Sequence, residues 1–369
     1  MVAPRLEDVD VHSDTAPEPI PDTAHRKALI SALLDDCGVG WQKKLVTRIV
    51  DAGIGLGLDG TSRLNLKISA AALEEMRAAF RLFAPFEAAP KVTIFGSART
   101  TAEDPLSQQA LRVSRELADQ GWLVVTGAGP GIMEAASTGA GPEQSIGVSI
   151  RLPFEERPMH EIAGNDRLVS MKYFFTRKLM LVKESRGFVC LPGGYGTMDE
   201  TFELLTLQQT GKMVPMPIVL LDRPGGTFWR GFERFVIDHL QGDGMISQGD
   251  LDRVLITESV EDAVAEITGF WRNYDSLRWA GEQLVLRLRA TPTPAEVEGL
   301  NEEFVGLLRS GRIEATAPLA VEVADDDLLE LPRLVLTPQR RAVGELHRLI
   351  RALNELPSAP VGGDAPANN

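Results

Sequence analysis

Leu191-Pro192-Gly193-Gly194-Tyr195-Gly196-Thr197-Met198-Asp199-Glu200 is the stretch whose reading decides the fold. The apolar run Gly187-Phe188-Val189-Cys190 before it reads as a buried strand, and 201–210 after it as a helix. Three glycines in four positions permit positive φ and a close backbone approach by a ligand. Thr197 and Glu200 have the Thr-x-x-Glu spacing of a capping box, which predicts a helix beginning at Thr197. A glycine-rich turn ending in a helix N-terminus is an anion site, because unpaired N–H groups and the positive dipole end converge there. A carboxylate in that first turn does not serve anion binding, so Glu200 either caps the helix or takes part in chemistry.

The same grammar repeats on both sides of this stretch. Short Val/Ile-rich runs at 92–95, 122–125, 146–150, 187–191, 218–221 and 254–256 alternate with helical patterns at 104–120, 132–138, 173–184, 198–210, 227–240 and 260–271. Alternation of this kind predicts an α/β, Rossmann-like, doubly wound parallel sheet with helices on both faces. Ligands on such sheets bind at the carboxyl ends of the strands. Three glycine clusters fall there: Gly96-Ser97, Thr126-Gly127-Ala128-Gly129-Pro130-Gly131, and the decapeptide.

The domain plan that follows is a disordered tail over 1–23, a helical N-terminal extension over 24–90, the α/β core over 91–274, a small α+β module over 275–357 and a second disordered tail over 358–369. Within the extension, helical spacing covers 25–37 and 69–83, with Leu73, Met76, Phe80 and Phe83 on one face and a glycine-rich loop at 51–62 between them. In the C-terminal module, 277–288 and 294–309 read as helices, 317–323 and 331–336 as paired strands, and 343–356 as an amphipathic helix.

Composition bounds the function. An apolar share of 44% with 24% charged residues is that of a water-soluble globular chain. A net charge of −14 disfavours nucleic acid as a partner. No apolar run reaches membrane-spanning length and no secretion signal opens the chain, so no membrane partner and a cytoplasmic location are expected. Two cysteines, Cys37 and Cys190, cannot build a disulfide framework, and the five histidines show no metal-ligand spacing. No metal and no cofactor is expected.

The glycines of the second cluster run G-x-G-x-G rather than G-x-G-x-x-G, and the strand that should end in a ribose-binding acid ends in Arg151, which argues against a dinucleotide cofactor. A Walker A loop is absent, since Gly211-Lys212 is followed by Met213. Loops suited to the phosphate and sugar of a mononucleotide remain. Arg177 and Lys178, adjacent in the helix at 173–184, offer a fork and a point charge, but their side chains diverge by about 100°. Glu134, in the first turn after the second cluster, shares the ambiguity of Glu200.

Pro192-Gly193-Gly194-Tyr195-Gly196-Thr197-Met198-Asp199-Glu200 resembles the P-G-G-x-G-T-x-x-E signature of the LOG (Lonely Guy) family of cytokinin riboside 5′-monophosphate phosphoribohydrolases, long misnamed lysine decarboxylases. Arg177-Lys178 is similar to the family's Arg-Lys pair, and residues 126–136 resemble its T-G-G-G-P-G-I-M-E-A-A segment, with Ala128 as the departure. The likeness covers about 91–271. It implies a homodimer or higher homo-oligomer that hydrolyses the N-glycosidic bond of a nucleoside 5′-monophosphate, with Arg177 and Glu200 catalytic. On this reading Gly96, Ser97, Gly127, Gly129, Gly131, Glu134, Lys178, Gly193, Gly194, Gly196 and Thr197 bind substrate and phosphate. Glu200 faces the developing oxocarbenium ion and handles the attacking water. A non-catalytic carrier of a nucleotide or molybdenum cofactor, on the same fold, is the alternative.

Overall fold

The structure is a computed structural model and describes residues 23–152, 166–339 and 343–361. Of the expected disordered tails, 1–22 and 362–369 lie outside the described residues. Two compact units divide the chain between Leu73 and Glu74.

The first unit contains α1 (Thr23–Asp36), α2 (Lys43–Leu58) and the start of α3 (Arg63–Phe83). Ion pairs Arg26–Asp51 and Lys43–Asp35, both 2.6 Å, tie α1 to α2. The glycine-rich loop expected at 51–62 is not a loop: α2 runs through Gly53, Gly55 and Gly57. Each glycine costs about 1 kcal/mol against alanine in a helix. The helix forms alongside α1 in spite of that local penalty.

The second unit begins within α3. Its buried positions are Glu75, Ala79 and Phe83, whereas Leu73 and Phe80 of the expected face are about half exposed. The packing stripe therefore lies one step round the helix from the predicted one, and it carries a carboxylate.

β1 (Lys91–Phe95), β2 (Leu123–Thr126), β3 (Ser145–Ile150), β4 (Leu168–Met171), β5 (Gly187–Cys190), β6 (Ile218–Leu221) and β7 (Val254–Thr257) form one parallel sheet in the order β4-β3-β2-β1-β5-β6-β7. The fold is the expected Rossmann-like α/β sheet, with one further strand, β4. Its four residues at the sheet edge are too short to carry a period-2 signal. α4 (Pro105–Asp119), α5 (Ile132–Ala140), α6 (Phe174–Lys183), α7 (Tyr195–Gln209), α8 (Phe228–Phe235) and α9 (Val260–Gly269) supply the crossovers. Side chains such as Val92, Ile94, Val124, Val148, Val189 and Leu220 are wholly buried, which is why these strands read as unbroken apolar runs. Strand order reverses at β1, whose neighbours are β2 on one side and β5 on the other. That reversal opens a crevice at the carboxyl ends of β1, β2 and β5.

The C-terminal module differs from expectation in three places. Instead of a helix, 277–288 holds β8 (Tyr274–Ala280) and β9 (Gln283–Leu288), joined by the two-residue turn Gly281-Glu282 with Ala280 opposite Gln283. Gly281 has φ +66°, the left-handed conformation that such hairpin turns require. The helix expected over 294–309 stops early: after α10 (Pro294–Glu303) the chain enters β10 (Leu308–Ala315), which with β11 (Arg333–Pro338) completes an antiparallel sheet, β10-β11-β9-β8. The strand expected at 317–323 is instead α11 (Ala320–Asp325), because Glu322 is drawn inward to Arg287 and Arg333 at 2.9 and 3.0 Å. α12 (Val343–Glu355) forms as predicted, burying Leu346, Leu349, Ile350 and Leu353. Asn354 Oδ1 of this helix accepts from the amides of Asn273 and Tyr274 at 2.7 and 2.8 Å, joining the module to the core. Among the described residues no helix is long and apolar enough to cross a membrane.

Candidate active site

Three loops meet at the crevice, and Ser97 stitches them together. Its amide donates to the Pro192 carbonyl at 3.2 Å, and its carbonyl accepts from the Ile132 amide at 3.0 Å. The loop after β1 is thereby bonded to the decapeptide and to the first turn of α5. Close packing explains the surrounding glycines. A Cβ on Gly96 would lie 2.4 Å from the Ile132 side chain, and one on Gly131, which has φ +72°, would lie 2.4 Å from the Ser97 carbonyl oxygen.

The decapeptide does not use its glycines for positive φ, since none of Gly193, Gly194 and Gly196 is left-handed. Gly193 makes room for Thr197, whose Oγ1 would sit 2.1 Å from an added Cβ, while Gly194 and Gly196 border open space. The helix begins at Tyr195, two residues earlier than predicted, with Gly194 as N-cap and no side-chain cap bond. The predicted Thr197–Glu200 capping box is therefore absent. Amides of Tyr195, Gly196 and Thr197 occupy the first three helical positions, where no intrahelical acceptor exists.

Freed from capping, Glu200 lies in the second turn of α7, 6% exposed, with Oε2 buried and lacking a hydrogen-bond partner. Burial pushes its carboxyl pKa up from 4.5 to about 7, against the pull of Arg177 and Lys178. Such a group is poised between acid and base near neutrality.

Arg177 and Lys178 of α6 diverge as their spacing requires. Arg177 Nε donates to the Val148 carbonyl at 3.0 Å, and Nη2 would sit 1.9 Å from a Cβ on Gly127. Glycine at 127 is thus what admits the guanidinium to the crevice. Arg177 is half-buried, not the solvated side chain of an ordinary basic helix face; burial lowers its pKa, with Glu200 partly opposing. Lys178 turns to α7, where its ammonium meets Asp199 at 2.7 Å and Glu203 at 2.9 Å. Burial works against that charge, but the two carboxylates hold the Lys178 pKa above its ordinary value. Glu134 is exposed on α5. Gly129 accommodates the Met133 side chain, whose Cε would lie 2.6 Å from an added Cβ. Among the described residues no group of three His, Cys, Asp or Glu side chains could hold a metal ion.

Sequence reasoning missed one participant. Glu75 of α3, 6% exposed, accepts from the amides of Lys172 and Tyr173 at 2.7 and 3.4 Å and from Thr176 Oγ1 at 2.7 Å, at the entry to α6. The available signal was its position four and eight residues before Ala79 and Phe83, which puts an acid on an apolar stripe.

The α/β core is similar to several known proteins. A family model described as "Possible lysine decarboxylase" matches residues 131–267. Cytokinin riboside 5′-monophosphate phosphoribohydrolase of Mycobacterium tuberculosis is 28% identical over 180 residues, 47% of this chain and 90% of that protein. Cytokinin riboside 5′-monophosphate phosphoribohydrolase LOG of Oryza sativa subsp. japonica is 32% identical over 151 residues, 40% of this chain and 60% of that protein. Among solved structures, the molybdenum cofactor binding protein from Rippkaea orientalis aligns with 48% of this chain and 93% of its own at 21% identity, with a TM-score of 0.35. The family model and the two sequence relatives show the resemblance of the α/β core to the LOG (Lonely Guy) family that the three motifs carried first.

Proposed function

We propose that the protein is a nucleoside 5′-monophosphate phosphoribohydrolase, which splits AMP-type or cytokinin nucleotides into free base and ribose 5-phosphate. The buried Glu200 carboxyl with its unpartnered Oε2, set among three glycine-rich loops and the Arg177 guanidinium, carries this reading. The names of the relatives support it.

Cleavage sends the electrons of the C1′–N bond to the base and leaves positive charge on C1′ and the ring oxygen. A carboxylate in a buried site stabilises that charge more strongly than one in water. Water then adds to C1′ and yields a proton to Glu200, whose pKa near 7 suits it to accept one, while the departing base takes up a proton from solvent to become the free base. The amides opening α7 and the 127–131 loop offer donors for the 5′-phosphate. Arg177, held by Val148, orients the substrate, and Lys178 sets α6 against α7. Incubation with AMP, GMP, CMP and N6-isopentenyl-AMP tests the proposal, with free base read by chromatography. Release of base from at least one, lost in Glu200→Gln, is expected. Tight binding without product would instead favour a cofactor or nucleotide carrier.

A further inference from the structure

The helix that carries Arg177 does not cap itself. Its N-cap residue, Tyr173, makes no side-chain cap bond. A negative charge at a helix entry meets the positive end of the dipole, and hydrogen bonds to the residues leading into the helix fix its direction. Here both come from outside the α/β core. The Glu75 carboxylate of α3 takes three hydrogen bonds from the entry turn, two through Oε1 and Oε2 from the amides of Lys172 and Tyr173 and one through Oε2 from Thr176 Oγ1. Arg151, at the end of β3, approaches the same Oε1 at 3.5 Å. Thr176 is fully buried and immediately precedes Arg177.

We propose that Glu75 is a positioning residue for Arg177: the last helix of the N-terminal extension fixes the entry of α6 and so sets where the guanidinium enters the crevice. The inference rests on the phosphoribohydrolase reading for what Arg177 does there. Tolerance at the far end is small, because Arg177 Nη2 lies where a Cβ on Gly127 would be, while Nε is held by Val148. A tilt of α6 by about 10°, at a reach of ~6 Å, shifts the guanidinium by about 1 Å, a misplacement that costs on the order of 100-fold in rate. A carboxylate is the fitting group, since its two oxygens accept three bonds and an amide at the same place offers one acceptor. The extension thereby takes part in the site without touching substrate.

The test uses the full chain with Glu75→Gln, Glu75→Ala, Arg177→Ala and the Glu75→Ala/Arg177→Ala double variant. Free-base release from the best nucleotide and amide hydrogen exchange of the 172–183 segment are measured together. We expect kcat/KM to fall in the order wild type, Glu75→Gln, Glu75→Ala, reaching at least ~10-fold. The double variant should equal Arg177→Ala, and exchange should quicken at 172–178. Thr176→Val, which deletes one of the three bonds, gives a milder version should Glu75→Ala fail to fold. Loss of general stability would add to the Arg177→Ala effect, so additivity overturns the proposal, as does unaltered exchange. If the wild type releases no base from any nucleotide, the proposed function falls by itself. Exchange at 172–178 then decides the positioning role, faster exchange confined to that segment supporting it and unchanged exchange overturning it.

Discussion

Replacing Glu200 with glutamine separates what the carboxylate contributes to chemistry from what it costs the fold. Its folded pKa of about 7 stands above its ordinary 4.5 because burial disfavours the charge. Between those values the folded protein binds more protons than the unfolded chain, so stability falls as pH rises through the window. Integrating from pH 5 to pH 8.5 gives a loss of about 2.5 kcal/mol in the wild type, at 1.36 kcal/mol per decade of proton affinity. Glutamine cannot ionise, and at pH 5 it is nearly isosteric with the protonated acid. Glu200→Gln should therefore gain about 2.5 kcal/mol on the wild type between pH 5 and pH 8.5, whatever its offset at either pH. Urea unfolding at both pH values, followed through the buried Trp122, Trp229 and Trp271, reads this difference. Over the same range wild-type kcat/KM should rise through an apparent pKa near 7, while the variant loses about 10²- to 10³-fold in kcat. Parallel stability profiles for the two proteins would refute the buried, neutralised carboxyl, and an unchanged kcat would refute its catalytic role.

Three other substitutions probe the surrounding structure. Gly127→Ala places a methyl where Arg177 Nη2 lies, so kcat should fall about 10²-fold with the circular dichroism spectrum unchanged; wild-type turnover would show that the guanidinium has no part in the reaction. Ala128 has φ +50°, a left-handed conformation costing about 1–2 kcal/mol for an L-residue. Ala128→Gly relieves that strain but raises unfolded-chain entropy by about 0.4–1 kcal/mol, so a net gain of up to about 1.6 kcal/mol in urea unfolding is expected. Glu322→Gln leaves the buried Arg287 and Arg333 without their shared carboxylate and should cost about 3–5 kcal/mol in the same assay; a cost under about 1 kcal/mol would show the pair to be hydrated.

The parallel core was legible because its strands are buried on both faces and its helices on one, so each element carries its own period. The site loops were legible for a related reason: Gly127, Gly131 and Gly193 stand where any side chain would collide with Arg177, with the Ser97 carbonyl or with Thr197. Where reading failed, a distant partner had decided the local structure. Residues 317–323 have strand-like composition, yet Glu322 bonds to two arginines from β9 and β11, and α11 forms around it. The leucines of 277–288 fit a helical spacing as well as an alternating one, and the left-handed Gly281 decides for a hairpin.

By itself the sequence determined the alternation of strands and helices in the α/β core apart from β4, and the three clusters at strand ends with Arg177 and Glu200 beside them, because periodicity and glycine placement are local consequences of local chemistry. Only the tertiary structure decided what Glu200 is. Thr-x-x-Glu spacing suits a cap, but the turn at Gly194 starts the helix two residues early and carries the carboxyl inward, where low dielectric rather than a backbone amide governs its proton. The bracing of α6 by Glu75 is equally a matter of three dimensions, since about a hundred residues of chain separate the carboxylate from the amides that it holds.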